Sequence, residues 1–252
     1  MACDPTCRAP FITDITTQPI PPILRSNITE HKRRMEDEED RLEKVYETAG
    51  YDRKQIAKDR VASHPEFVYE EDVVLLEEVG PQGSVSLVAP KDTNMVAWFA
   101  DKNKDFAYAY HRTVLQMLHD VDPPQTHWQL KSPLHTLWID SLLKYYPQVS
   151  IIMSHRHLDE VIPSACRIFL NYNSIYFNAN DSQSMKTTFE QAMSLLDIWI
   201  QRIIEFRTQQ PPPKNIFDIQ YKDLVRDPIG TVRRIYDYFD FLHWSDEFEK
   251  AM

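Results

Sequence analysis

An arginine and a serine eight positions apart, Arg156 and Ser164, follow the short apolar run QVSIIM at 148–153. Arginine carries a permanent charge on a planar fork that suits a phosphate, and a serine hydroxyl adds one more donor. The apolar run reads as a strand, and HRHLDEVIPSACRIFL at 155–170 reads as the helix after it. The pair therefore belongs to a strand-to-helix junction. Ligands of open α/β sheets collect at the carboxyl ends of parallel strands. A helix start adds unpaired N–H groups and a positive dipole end. On these two residues alone, anion binding stands level with the ordinary alternative, a surface arginine near a packed serine. Pro163 falls within the expected helix, where its ring kinks the backbone or confines the first turn.

The elements that must hold this junction follow from the pattern around it. QVSIIMS reads as a continuous apolar run interrupted only by Ser150 between Gln148 and Ser154, as a strand buried on both faces would be. THWQL at 126–130 reads as a short strand, KSP breaks it, and LHTLWIDSLLKYY reads as an amphipathic helix that stops before Pro147. A long helix is expected over 183–209, ended by PPP at 211–213, then a strand, NIFDIQY, at 215–221. Asp227 followed by Pro228 is a strong start signal for a helix over PIGTVRRIYDYF. Strand, helix, strand and helix with short links imply a parallel sheet flanked by helices, an α/β class.

Before residue 125 the pattern is helical. Residues 1–30 read as irregular, 31–49 as a charged helix with a thin apolar stripe (Met35, Leu42, Val45, Tyr46), 66–79, 92–100 and 105–119 as further helices. Tyr108, Val114, Leu115 and Leu118 are the apolar positions of the last. The expected organisation is one domain over 1–252, mainly helical through 124, with the strand–helix core at 125–240.

Composition bounds the function. The chain has 252 residues, a net charge of −10, and 42% hydrophobic and 26% charged residues, a globular balance. The acidic balance disfavours nucleic acid as a partner, and an anionic substrate would need a local basic pocket. No apolar run reaches the length of a membrane span. Cys3, Cys7 and Cys166 make an odd, small set that fits a reducing compartment, and cytoplasm is the expected address. Cys3 and Cys7 have no second pair to complete a zinc site, so no metal is expected. The four glycines, Gly50, Gly80, Gly83 and Gly230, build neither a Walker loop nor a dinucleotide fingerprint.

The stretch HWQLKSPLHTLWIDSLLKYYPQVSIIMSHRHLDEVIPS resembles the core of the sulfotransferases that use 3′-phosphoadenosine 5′-phosphosulfate (PAPS), in the branch with a Lys-Ser-Pro-x-His motif. FDIQYKDLVRDPIGTVRRIYDYF resembles that family's Tyr-Glu-Asp-Leu-x-x-Asp-Pro segment, with Lys222 in place of an acid. The resemblance implies a P-loop-like sulfotransferase fold and transfer of a sulfuryl group from PAPS to a hydroxyl or amine of a small-molecule or carbohydrate acceptor. It implies that Arg156 and Ser164 hold the 3′-phosphate and that Tyr221 lies near the adenine. In KSPLH, Lys131 would stabilise charge on the leaving phosphate or the sulfuryl group, and His135 would take the acceptor's proton. A solvent lysine and a capping or core histidine are the plain alternatives. His64, Glu70 and Glu71 would line the acceptor pocket, against the alternative of a solvated acidic helix face.

The family's glycine loop, Gly-x-Pro-Arg-Ser/Thr-Gly-Thr-Thr after a strand, cradles the 5′-phosphosulfate and has no counterpart in this sequence. MACDPTCRAPF resembles the segment that follows it, so an N-terminally truncated fold with little or no turnover is expected. The competing expectation is a non-catalytic chain that binds nucleotide or a protein partner.

Overall fold

The computed structural model describes residues 4–16, 21–48, 69–80, 93–174, 182–211 and 214–252. Two strands, β1 (Ile151–His155) and β2 (Ile216–Gln220), pair in parallel, with Ile151 opposite Ile216 and His155 opposite Gln220. Between them the chain passes through α7 (Leu158–Ser174) and α8 (Ser182–Arg207), which pack on each other. Side chains alternate across the sheet as the pleat requires. Ile151, Met153 and Ile216 join Ile139, Ile203 and Phe206 on one face. Ile152, Phe217 and Ile219 join Val232, Ile235 and Phe239 on the other. The sheet is thus covered on both faces, by α6 (Ile139–Tyr145) and α8 on one side and, after the short α9 (Tyr221–Arg226), by α10 (Pro228–Tyr238) on the other. This is the α/β arrangement that the continuous apolar run demanded.

The helices before β1 form a second mass of the core. α1 (Ile12–Ile15) and α2 (Ile28–Thr48) lead into α3 (Val73–Glu77), α4 (Thr93–Ala100) and α5 (Asp105–Val121). On α5 the stripe of Ala107, Tyr108, His111, Val114, Leu115 and Leu118 is buried, the spacing of one helical face. Leu76, Phe99, Tyr108, Leu134, Trp138, Phe169 and Leu195 share one cluster, so α3, α4, α5, α7 and α8 close around a common centre. Among the described residues no helix is long and apolar enough to cross a membrane.

Four expectations change. Residues 1–30 are not wholly irregular, since α1 forms there, and α2 begins at Ile28 because Asn27 Oδ1 accepts the Glu30 N–H at 3.2 Å. Among the described side chains of α2, His31, Arg34 and Glu38 are buried, and Arg34 donates to the Pro21 carbonyl at 2.6 Å. The side chains of Leu42, Val45 and Tyr46 lie outside the described residues. THWQL makes a single parallel bridge, Trp128 with Arg8, where Gln129 donates to the Arg8 carbonyl at 2.8 Å. The next ladder donor on that neighbour would be Pro10, which has no N–H, and the pairing stops. The expected helix over 134–146 divides into a 3₁₀ turn, Pro133–Thr136, and α6. Ser132 Oγ caps the turn, and the backbone leaves helical geometry at Trp138 (φ −120°, ψ 36°), whose buried indole donates to the Phe99 carbonyl at 3.1 Å.

Two further boundaries shift. The helix expected over 66–79 is helical at Val73–Glu77, with 66–68 outside the described residues, and the one expected from 155 begins at Leu158.

A buried arginine secures the start of the described chain. Arg8 is 1% exposed, stacks over Trp128 and donates to Asp14 at 3.3 Å and to the carbonyl of Leu118 at 3.0 Å. Its charge thus sits on the last turn of α5, the end a cation favours.

The signal at Asp227 holds: its Oδ1 accepts the Gly230 N–H at 2.9 Å, and Pro228 opens α10. A Cβ on Gly230 would lie 2.0 Å from Asp227 Oδ2. Asp227→Ala is expected to cost about 1 kcal/mol. Gly230→Ala displaces the same cap but gains about 1 kcal/mol of helix propensity, so it should be near neutral alone. In the Asp227→Ala background it should stabilise by about 1 kcal/mol. Denaturant unfolding of the four proteins measures this cycle, and simple additivity would show that the cap does not act through Gly230.

Candidate active site

The parallel register brings two of the sequence-identified residues together. Arg156 leaves β1 just after His155, and Tyr221 leaves β2 just after Gln220, its register partner. The guanidinium carbon of Arg156 stands 4.5 Å from the centre of the Tyr221 ring. Its Nε donates to Glu160 on the first turn of α7 at 2.7 Å. A stacked, one-edge-tethered guanidinium is oriented, and cation–π contact of this kind contributes about 0.5–1 kcal/mol at exposed sites. Ser164 is exposed on α7, after Pro163, which the helix accommodates within its span. The structure thus unites Arg156 and Tyr221 directly and places Ser164 farther along the helix that starts beside them.

Lys131 and His135 lie in the segment before α6. The Lys131 side chain is 66% exposed and pairs with Glu71. That pairing is fixed by backbone: the Asp72 N–H donates to the Lys131 carbonyl at 3.2 Å, and the Glu70 N–H to the Pro10 carbonyl at 3.1 Å. Of the three residues expected to line an acceptor pocket, Glu71 meets Lys131, Glu70 lies beside it, and His64 falls outside the described residues.

His135 is held by two partners. Its Nε2 lies 2.9 Å from Asp72 Oδ2, and its Nδ1 lies 2.8 Å from the Tyr108 hydroxyl. A second imidazole repeats the pattern. His111 Nε2 lies 2.9 Å from the same Oδ2, and its Nδ1 lies 2.7 Å from the Tyr146 hydroxyl. Asp72 is wholly buried. An ionised carboxylate can only accept, so each Nε2 carries the hydrogen, and in a neutral imidazole each Nδ1 then accepts from a tyrosine. One polar chain, Tyr108–His135–Asp72–His111–Tyr146, therefore joins the loop before α3, α5, the 3₁₀ turn and the end of α6.

The electrostatics follow from this arrangement. Burial by itself would raise Asp72, but the attraction of the His135 ring wherever that ring is protonated, and the hydrogen bonds from both imidazoles, hold it well below the usual carboxylate range. Burial, with the Asp72 charge nearby, pushes the Tyr108 and Tyr146 hydroxyls well above the usual phenol range. Both tyrosines thus remain protonated donors.

Sequence reasoning missed Asp72, His111 and Tyr146, and took Tyr108 as apolar. Tyr108 and His111 stand one helical turn apart on the buried stripe of α5, a spacing that does place two polar groups on one face. Asp72 ends the acidic triplet Glu70, Glu71 and Asp72, and nothing local separates it from its solvated neighbours.

Because folded Asp72 gives up its proton more readily than an unfolded aspartate, near pH 4, its contribution to stability is complete above that value. It is lost as the pH falls below about 4 toward the folded value. The wild type should therefore lose stability more steeply than Asp72→Asn between about pH 4 and 3. Urea unfolding at a series of pH values reads both slopes, and equal slopes would exclude a depressed Asp72.

Comparison with known proteins supplies the family. A sequence model described as the Sulfotransferase family matches residues 18–246. No curated protein matches the chain. Among solved structures, sulfotransferase STF9 from Mycobacterium avium is similar with a TM-score of 0.78 at 23% identity, over 99% of this chain and 61% of that one. Sulfotransferase STF1 from Mycobacterium tuberculosis H37Rv is similar with a TM-score of 0.71 at 20% identity, over 99% of this chain and 64% of that one. The chain spans less than two thirds of the length of either structure. With the family match running through the helical part, the 131–135 segment and both strands, the chain belongs to the sulfotransferase family.

Proposed function

We propose that this chain binds PAPS and transfers its sulfuryl group, with low turnover because its sequence holds no glycine loop to cradle the 5′-phosphosulfate, to a hydroxyl or amine of a small-molecule or carbohydrate acceptor. The observation that carries the reading is the Arg156–Tyr221 pair at the adjoining carboxyl ends of two parallel strands. There the two outer nitrogens of a tethered guanidinium are suited to the 3′-phosphate, with Ser164 as a further donor from α7. The Tyr221 ring, 39% exposed, offers a face near which the adenine would lie.

In the transfer, the acceptor oxygen attacks sulfur in line and the bond to the 5′-phosphate breaks. The electron pair stays on the phosphate. Lys131 stabilises that charge once the phosphate competes with Glu71 for its ammonium. His135 takes the acceptor's proton. A second reading, nucleotide binding without turnover, draws support from one feature of the site. Both ring nitrogens of His135 are engaged internally, so proton transfer requires the Tyr108 hydroxyl to yield its place.

Calorimetric titration with 3′-phosphoadenosine 5′-phosphate, the desulfonated nucleotide, tests the common core of both readings. Hydrogen bonds to charged groups contribute about 1.5–3 kcal/mol, so Arg156→Ala should weaken binding roughly 10- to 100-fold. Ser164→Ala should weaken it by about fivefold. Absence of binding by the folded wild type, or an unchanged affinity in Arg156→Ala, would remove the nucleotide from this junction. Sulfate release onto a panel of hydroxyl and amine acceptors then separates turnover from binding alone.

A further inference from the structure

The chain from Tyr108 to Tyr146 is symmetric in its bonding but not in its exposure. His111 and Asp72 have no exposed side-chain surface, whereas 17% of the His135 side chain is exposed. A group outside the core can therefore meet His135 and cannot meet His111. Both imidazoles share one carboxylate oxygen, and Asp72 Oδ1 has no partner among the described residues. His111 thus anchors Asp72 from the buried side and leaves the same oxygen facing His135.

We propose that Asp72 and His111 are positioning residues for sulfuryl transfer: they fix His135 in the tautomer whose Nδ1 lone pair receives the acceptor's proton. This rests on the sulfuryl-transfer reading above. An Nε2–H directed at an anion leaves Nδ1 as the basic nitrogen, and the carboxylate then stabilises the imidazolium that forms. At rest the Tyr108 hydroxyl occupies that lone pair. In the reaction the acceptor's hydroxyl takes its place. The acceptor's O–H bond breaks, its oxygen bonds to sulfur, and the proton moves to Nδ1. The bond from sulfur to the 5′-phosphate breaks, with its electron pair kept by the phosphate. Tyr108 can then turn and accept from the new Nδ1–H, since a hydroxyl serves as donor or acceptor. At rest and after transfer Tyr108 and His135 are thus bonded to each other, and only while the acceptor is bound does the Tyr108 hydroxyl give up that bond.

The neighbourhood does not supply a competing anchor. Glu71 is paired with Lys131, and Arg112 on α5 acts on Tyr146. The residues that α8 contributes to this core, Ala192, Leu195, Ile198 and Trp199, are apolar or aromatic. Asp72 is the carboxylate bonded to His135.

Nitrogen-15 NMR of the imidazoles, with steady-state kinetics on the same 252-residue protein, tests the proposal. In the wild type both His135 and His111 should show the Nε2–H tautomer. In Asp72→Asn the amide nitrogen finds acceptors at the shared position, since no described residue bonds to Oδ1. His135 should then shift to Nδ1–H, and kcat should fall on the order of 10³-fold with the acceptor KM little changed. A purely structural Asp72 would not move the tautomer in a folded variant. Tyr108→Phe gives a second arm if Asp72→Asn does not fold: with Asp72 in control, His135 keeps Nε2–H although its Nδ1 partner is gone. An Nδ1–H tautomer at His135 in the wild type, its appearance in Tyr108→Phe, or a folded Asp72→Asn with wild-type turnover would each overturn the proposal. A wild type that keeps the expected tautomers but transfers no sulfuryl group would instead overturn the sulfuryl-transfer reading, while supporting the hold of Asp72 on His135.

Discussion

A carboxylate removed from water has to be met by donors, and Asp72 is the buried charge on which the helical part of this protein converges. The cost of burying an unpaired carboxylate exceeds what most single contacts return. Two imidazoles from different elements answer it at 2.9 Å each. To bring them there, α5 must present His111 from its buried stripe, and the turn after Ser132 must present His135. The Asp72 backbone is fixed to Lys131 at the same point. One charge thereby joins the loop at 70–72, α5, the 3₁₀ turn and the end of α6. Glu71 and Lys131 stand just outside that knot, with positions inherited from it.

The sheet imposes a second constraint, geometric rather than electrostatic. Two parallel strands in register end together, so whatever follows each strand is placed side by side. Here that is Arg156 and Tyr221. The packing that fixes the register is ordinary: Met153 and Ile216 against Phe206 on one face, Ile219 against Val232 on the other. The two constraints are mechanically linked. Leu134, one residue before His135, shares a core cluster with Phe169 of α7 and Leu195 of α8, the helices that cross between β1 and β2. Proteins pack at near-crystalline density, so a shift at one end of that cluster is felt at the other.

What could be read from sequence was what depends on neighbours in the chain. The QVSIIM run disclosed a strand covered on both faces because burial on both faces removes polar alternation. Asp227 with Pro228 disclosed a helix start because the cap is made within one turn. The burial of His31 and Arg34 on α2 was hidden, since they are satisfied by Thr13, Leu24 and Pro21, residues outside the helix. THWQL looked like a strand and pairs at one residue, because its length is set by Pro10 on a distant neighbour. Tyr108 was misread and Asp72 missed for the same reason: an aromatic on an apolar stripe and an acid in an acidic run owe their roles to partners elsewhere in the chain.

The same distinction bears on how the chemistry is specified. A local pattern such as KSPLH selects an imidazole and sets it four residues from a lysine. It does not determine which nitrogen holds the hydrogen, and for proton transfer that choice decides between an acceptor and a donor. Here the choice comes from Asp72, 63 positions earlier in the chain, itself anchored by a histidine 39 positions beyond it. In the proposed mechanism the basicity of His135 is therefore a property of the folded core and not of the motif. A second sequence carrying the same five-residue pattern without a buried carboxylate at this place would hold the same atoms and lack the same base.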